Sequence, residues 1–156
     1  MAPIVGPSAV LGKLASLPVE TYRPGELVLR DGTTTGKLLI MTAGAVEVVR
    51  GGVRIDAIAE PGAVFGELAV LLDQPHSADV RALQASSFYV ADGRTILRVD
   101  PAVALYVAVV LAQRLETVNR HLVEAKGRLE RTQQPGRVLR ETLDNIGRTL
   151  QHGPPL

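Results

Sequence analysis

Apolar and polar residues follow two different periods along this chain, and the change between them divides it. From Val19 to Ala91 short strands dominate. Val19–Tyr22, Glu26–Arg30, Lys37–Thr42, Ala45–Arg50, Val53–Ala59, Ala78–Leu83 and Ser86–Ala91 each fit one. Most alternate, as a half-buried pleated strand requires, while Lys37–Thr42 is apolar almost throughout. In Val53–Ala59 the residues Val53, Ile55, Ala57 and Ala59 fall on one side. Turn chemistry separates the segments: Pro24-Gly25, the polar loop Asp31–Gly36, Ala43-Gly44 and Gly51-Gly52. Short strands at regular spacing predict an antiparallel sandwich or barrel.

Helical periodicity brackets these strands. Ser8–Leu17 places Val10, Leu11, Leu14 and Leu17 on one face, with Ser8 as cap and Pro18 as stop. Arg94–Val99 reads as a short helix after Asp92-Gly93. Asp100-Pro101 predicts a helix start, since Asp caps and Pro lacks only an N–H that would be unpaired anyway. No Gly follows until Gly127 and no Pro until Pro135, so one helix is expected from Pro101 to about Thr132. Ala102–Ala112 is apolar all round and needs cover on more than one side.

Further along that helix, Leu111, Leu115, Val118, Leu122, Ala125 and Leu129 recur at heptad spacing. Two readings stand: a helix lying along its own barrel, or a seam against a second copy of the chain. The flanking pairs Arg114/Asn119, His121/Lys126 and Arg128/Gln133 add no attraction across a parallel seam, so pairing rests on the apolar residues. Gln133-Gln134-Pro135-Gly136 breaks the helix. Arg137–Leu150 is a last amphipathic segment with Val138, Leu139, Leu143, Ile146 and Leu150 on one face, and Pro154-Pro155 closes the chain. The expected division is 1–132, one domain including the long helix, and 133–156, a short helical tail.

Composition narrows the function. The 156 residues are 46% hydrophobic but only 3% aromatic, so the core is built from Val, Leu, Ile and Ala. A net charge of +1 gives no electrostatic case for nucleic acid or an anionic membrane. With no cysteine there is no disulfide, thiolate metal site or Cys nucleophile. The N-terminus lacks the basic and apolar regions of a signal peptide. Ala102–Ala112 is well short of the roughly 20 residues of a membrane span. A cytoplasmic protein is expected. His76, His121 and His152 lie in different elements, and no triad or carboxylate pair is legible, so neither a metal site nor an enzyme is expected.

The candidate chemistry sits in Pro61–Arg81, PGAVFGELAVLLDQPHSADVR. Pro61-Gly62 is a turn, Val64-Phe65 a strand-like approach, and Gly66 a point of close backbone contact. Glu67–Leu72 makes one or two helical turns ended by Asp73-Gln74-Pro75, and a strand resumes near Ala78. A short helix entered through Gly gathers unpaired N–H groups at one spot, which favours an anion. Glu67 there suits a sugar hydroxyl, or simply the helix dipole.

Phe65, Gly66, Glu67, Leu68, Ala69, Pro75, Ser77, Ala78 and Val80 match in register the pattern F-G-E-L-A-L-L-x-x-x-P-R-S/T/A-A-x-V. The stretch resembles the phosphate-binding cassette of cyclic nucleotide-binding domains, as in catabolite-activator-like proteins and cyclic-nucleotide-regulated channels and kinase regulatory domains. The resemblance extends from about Ser8 to Leu129. It implies a mainly β, jelly-roll-like barrel with a short N-terminal helix, a cassette helix and a long C-terminal helix. It also implies a regulatory protein that binds cyclic AMP or cyclic GMP through Phe65, Gly66, Glu67, Leu68, Ala69, His76, Ser77 and Ala78. Glu67 would accept from the ribose 2′-hydroxyl; Gly66, Ala69 and Ser77 would donate N–H groups. The family dimerises through the long helix, which implies a homodimer through Leu111, Leu115, Val118, Leu122 and Leu129. DNA-binding relatives carry a winged helix-turn-helix after that helix. Here one helix remains, so a stand-alone regulator acting through a separate effector protein is expected.

His76 stands where the family places the arginine that pairs with the cyclic phosphate. Histidine offers one short-reach N–H and carries charge only when protonated. Weak binding that strengthens as pH falls is therefore expected. The alternative is a degenerate module that kept the barrel and seam as a dimeric interaction domain and lost the ligand.

Overall fold

Eight antiparallel strands form among the described residues, in the order the periodicity predicts. The computed structural model describes residues 2–131 and 137–152. Its strands are β1 (Val19–Tyr22), β2 (Leu27–Leu29), β3 (Lys37–Ala43), β4 (Val46–Arg50), β5 (Val53–Ile58), β6 (Val64–Phe65), β7 (Asp79–Ala82) and β8 (Ser86–Asp92). They make two four-stranded sheets, β1-β8-β3-β6 and β2-β7-β4-β5. Strands distant in sequence pair, as in a jelly roll. Between the sheets lie Leu39, Met41, Val46, Phe65, Val80 and Phe88. Phe88 is the hub: Tyr22 and Phe65 meet it edge-on, with ring centroids 5.7 and 5.9 Å away. The few aromatics are thus placed together, where T-shaped contact adds to area burial.

The chain divides into two compact units, Met1–Val110 and Leu111–Leu156. The first holds the barrel, α1 (Pro7–Leu14), α2 (Glu67–Leu72), α3 (Gly93–Val99) and the opening turns of α4 (Pro101–Arg131). Both helix starts after the barrel are capped. Asp92 Oδ1 accepts from the Thr95 N–H at 2.8 Å, and Asp100 Oδ1 from those of Ala102 and Val103 at 3.0 and 3.2 Å. Val103, Tyr106 and Val107, one helical face, are buried, and the Tyr106 hydroxyl donates to the Gly62 carbonyl at 2.6 Å. Leu105 and Ala108 stay exposed.

Three details of this unit depart from the sequence reading. The first helix begins at Pro7, with Gly6 as N-cap and no side-chain cap. Proline at the first helical position supplies the start, so Ser8 lies inside the helix, which ends at Leu14. Secondly, β5 does not bury the face expected of it: Val53 and Ile55 are 64% and 59% exposed, and Ile58 packs against the core instead. It is an edge strand, paired with β4 alone, and its register slips between Val48↔Asp56 and Val49↔Arg54. That bulge makes Ile55 the extra residue and splits the expected common face. Thirdly, α4 contains an 18-residue window, at a mean hydropathy of 1.4, that is long and apolar enough to cross a bilayer by length and composition alone. The continuous apolar run remains Ala102–Ala112, and Val103, Tyr106 and Val107 within it are buried against the barrel.

The second unit holds the rest of α4 and α5 (Arg137–His152). The Lys126 ammonium pairs with the Asp144 carboxylate, and Gly147 lies beside the Leu122 side chain. These pairings run in opposite directions, so α5 lies antiparallel to α4. Leu111, Leu122, Ala125 and Leu129 are half-buried, whereas Leu115 and Val118 are exposed. On α5, Leu143 is half-buried while Leu139 and Ile146 are exposed. The expected helix end at Thr132, the break at 133–136, the close at Pro154-Pro155 and the side chains of Val138 and Leu150 lie outside the described residues.

Candidate functional site

The stretch singled out in the sequence folds as one device between β3 and β7. β6 pairs with β3 through Leu39↔Phe65 and Ile40↔Val64. Gly66 then turns into the left-handed region at φ 85° and is the N-cap of α2. A Cβ at Gly66 would run into the Lys37 carbonyl oxygen, so both conformation and space demand glycine. α2 has six residues and stops at Asp73, itself left-handed at φ 52°. Arg94 on α3 pairs with the Asp73 carboxylate at the surface.

Individual side chains take distinct places. Phe65 belongs to the core. Glu67 is only 3% exposed, and every buried side-chain N or O among the described residues has a hydrogen-bond partner, as a buried carboxylate needs. Leu68 points outward, 42% exposed, while Ala69 and Ala78 are half-buried.

The link after α2 is stitched to the β2–β3 loop. His76 N–H donates to the Thr33 carbonyl and Gly32 N–H to the His76 carbonyl, both at 2.8 Å. The Asp31 N–H donates to Asp79 Oδ1 at 2.8 Å. The His76 ring adds a fourth tie, Nε2 to Thr35 Oγ1 at 2.8 Å, and Thr35 Oγ1 also accepts from the Lys37 N–H at 3.3 Å. His76 is 5% exposed. Its burial holds the imidazole pKa below the usual histidine value, because low dielectric disfavours the charged form. At neutral pH the ring is neutral.

Beside these ties opens a cleft of about 540 Å³, lined by Asp31, Gly32, Arg50, Gly51, Gln74, Pro75, His76 and Ser77. That size suits a small organic ligand. Of the residues singled out in the sequence, His76 and Ser77 line it; Phe65, Gly66, Glu67, Leu68, Ala69 and Ala78 do not. Asp31, Thr35 and Arg50 were missed. Nothing local marks Thr35, but alternation along β4 could have found Arg50: buried Val46, core-packed Val48 and Arg50 share one side.

The family sequence model described as the cyclic nucleotide-binding domain matches residues 19–99. The chain is 36% identical over 76 residues to the human potassium/sodium hyperpolarization-activated cyclic nucleotide-gated channel 3, covering 49% of this chain and 10% of the channel. It is 31% identical over 86 residues to the cAMP-dependent protein kinase regulatory subunit of Yarrowia lipolytica, covering 55% of this chain and 23% of that one. It therefore spans a minor part of either relative. Among solved structures, the catabolite activator protein of Thermus thermophilus superposes with a TM-score of 0.62 at 24% identity, over 81% of this chain and 65% of that chain. That last likeness is one of fold.

Proposed function

The chain belongs to the cyclic nucleotide-binding domain family, and from that premise we propose that it binds cyclic AMP or cyclic GMP as a sensory or regulatory domain and catalyses no reaction. The observation that carries this is the cassette itself: β6, left-handed Gly66, α2 and a link tied to the β2–β3 loop, beside a cleft large enough for a nucleotide. In this reading Glu67 accepts from the ribose 2′-hydroxyl. Gly66 and Ala69 offer backbone N–H groups, and Ser77, with His76 behind it, borders the phosphate. Phe65, Leu68 and Ala78 shape the cassette around them.

We further propose a homodimer along the α4 seam, with a protein as the effector that responds to the ligand. Exposed Leu115 and Val118 support the seam. In this reading the domain works in the cytoplasm, where cyclic nucleotides are formed from nucleoside triphosphates. One observation favours the ligand-free alternative: the residue at the arginine position is buried and engaged with Thr35.

Titration of wild type and Glu67→Gln with both cyclic nucleotides tests the proposal. Glu67→Gln keeps the side-chain shape but removes the carboxylate. A charge-assisted hydrogen bond is worth about 1.5–3 kcal/mol, so the variant should bind ten-fold or more weakly. Equal affinities would remove Glu67 from the site; binding by neither protein would favour the ligand-free module.

A further inference from the structure

Resting on the proposed cyclic nucleotide site, we infer that Arg50, from the β4–β5 hairpin, supplies the permanent positive charge for the ligand's phosphate that the cassette itself lacks. Three observations converge. The register pairing Val48 with Val80 and Val49 with Asp79 brings Arg50 level with Ala78, next to Ser77. Gly51 and Gly52, at φ 57° and 78°, close a two-residue turn in which Arg50 pairs with Val53. That turn fixes where the strand ends and keeps Arg50 on the side of Val46 and Val48. Lastly, Arg50 lines the cleft together with His76 and Ser77.

The donors there are uncommitted. Among the described residues the Arg50 guanidinium makes no ion pair, although the acidic Asp31 lines the same cleft. Among the described residues Ser77 makes no hydrogen bond through its N–H or its hydroxyl. The neighbouring basic residue Arg54 faces Glu47 instead, at 3.7 Å. His76 is committed too, its ring to Thr35 and its N–H to Thr33. An arginine fork and a serine donor at one mouth match the charge and oxygens of a cyclic phosphate diester. Asp31 opposes the same anion and sets a limit on affinity.

The experiment is calorimetric titration of wild type, Arg50→Gln and Arg50→Lys with cyclic AMP and cyclic GMP, with adenosine and guanosine as uncharged controls. It is run at low and high salt, and at mildly acidic and mildly basic pH. Arg50 sits at an exposed hairpin end, so the variants should melt like wild type. Arg50→Gln should bind cyclic nucleotide about ten-fold or more weakly and lose most of the salt dependence. Arg50→Lys should recover part of the loss, and nucleoside binding should not change. Wild-type affinity should be nearly flat across the pH range, because guanidinium does not titrate there. Affinity that rises on acidification, or an Arg50→Gln protein that binds like wild type, overturns the assignment and leaves the nucleotide site standing. A wild type that binds neither nucleotide overturns the assignment together with the site.

Discussion

His76 shows how one residue's environment changes its meaning. Its sequence position points to a phosphate, yet its ring is buried against Thr35 and its pKa is lowered by desolvation. The lowered value sets the sign of a stability effect. Between the folded value and the unfolded value of about 6.5, the unfolded chain binds more protons. Stability is therefore full above about pH 6.5 and falls as pH drops through that window. One such proton contributes a slope of at most about 1.4 kcal/mol per pH unit. Denaturant titrations of wild type and His76→Gln at pH values on both sides of the window should show the slope in wild type and a shallower one in the variant. Identical slopes would mean that the ring is not held neutral. Asp31 and Arg50 share its cleft with opposite charges, and the comparison cancels exposed His121, which is present in both proteins. Gly66 is the other residue with a sharp expectation. Gly66→Ala must hold a left-handed Ala, at about 1–2 kcal/mol, and displace the Lys37 carbonyl. A melting temperature lowered by several degrees is expected, and an unchanged one would show that the turn is built differently.

Among the elements, the cassette was legible and its surroundings were not. Gly66, the six residues of α2 and the Asp73-Gln74-Pro75 stop are local signals, and the helix has the predicted bounds. So is Asp100, whose cap forms at the expected position; the Asp92 cap was not anticipated, because the helix begins one residue early, at Gly93. The Thr35–His76 tie joins residues 41 apart, and Arg50 reaches the cleft only because β4 pairs with β7. Such juxtapositions are set by sheet register, which periodicity in single segments does not contain. The slip at Ile55 escaped for the same reason: nothing in Val53–Ala59 announces a bulge. On α4 the heptad is legible, but α5 changes how it reads, since Leu122 has Gly147 beside it while Leu115 and Val118 remain open. The open pair is the better place to test the seam. Leu115→Glu with Val118→Glu should leave the fold intact and give a monomer by light scattering at concentrations where wild type is a dimer. A wild type that is monomeric at high micromolar concentration would refute the seam.

At the scale of the whole molecule, the jelly roll carries the cleft lined by Arg50, His76 and Ser77, and α4 exposes Leu115 and Val118. The barrel is built almost entirely from aliphatic residues around Phe88, and the site is a set of loops and short elements held at its rim. In the proposed reading this rim binds a cyclic nucleotide and not nucleotides in general. Calorimetric titration of the wild-type chain with cyclic AMP, cyclic GMP and the two corresponding 5′-monophosphates tests it most directly. Saturable one-per-chain binding of at least one cyclic nucleotide is expected, with at least about ten-fold weaker binding of its dianionic 5′ counterpart, which neither fits the cassette as a ring nor suits a cleft that includes Asp31. No heat from either cyclic nucleotide up to millimolar concentration, or equal affinity for the cyclic and open forms, would contradict it.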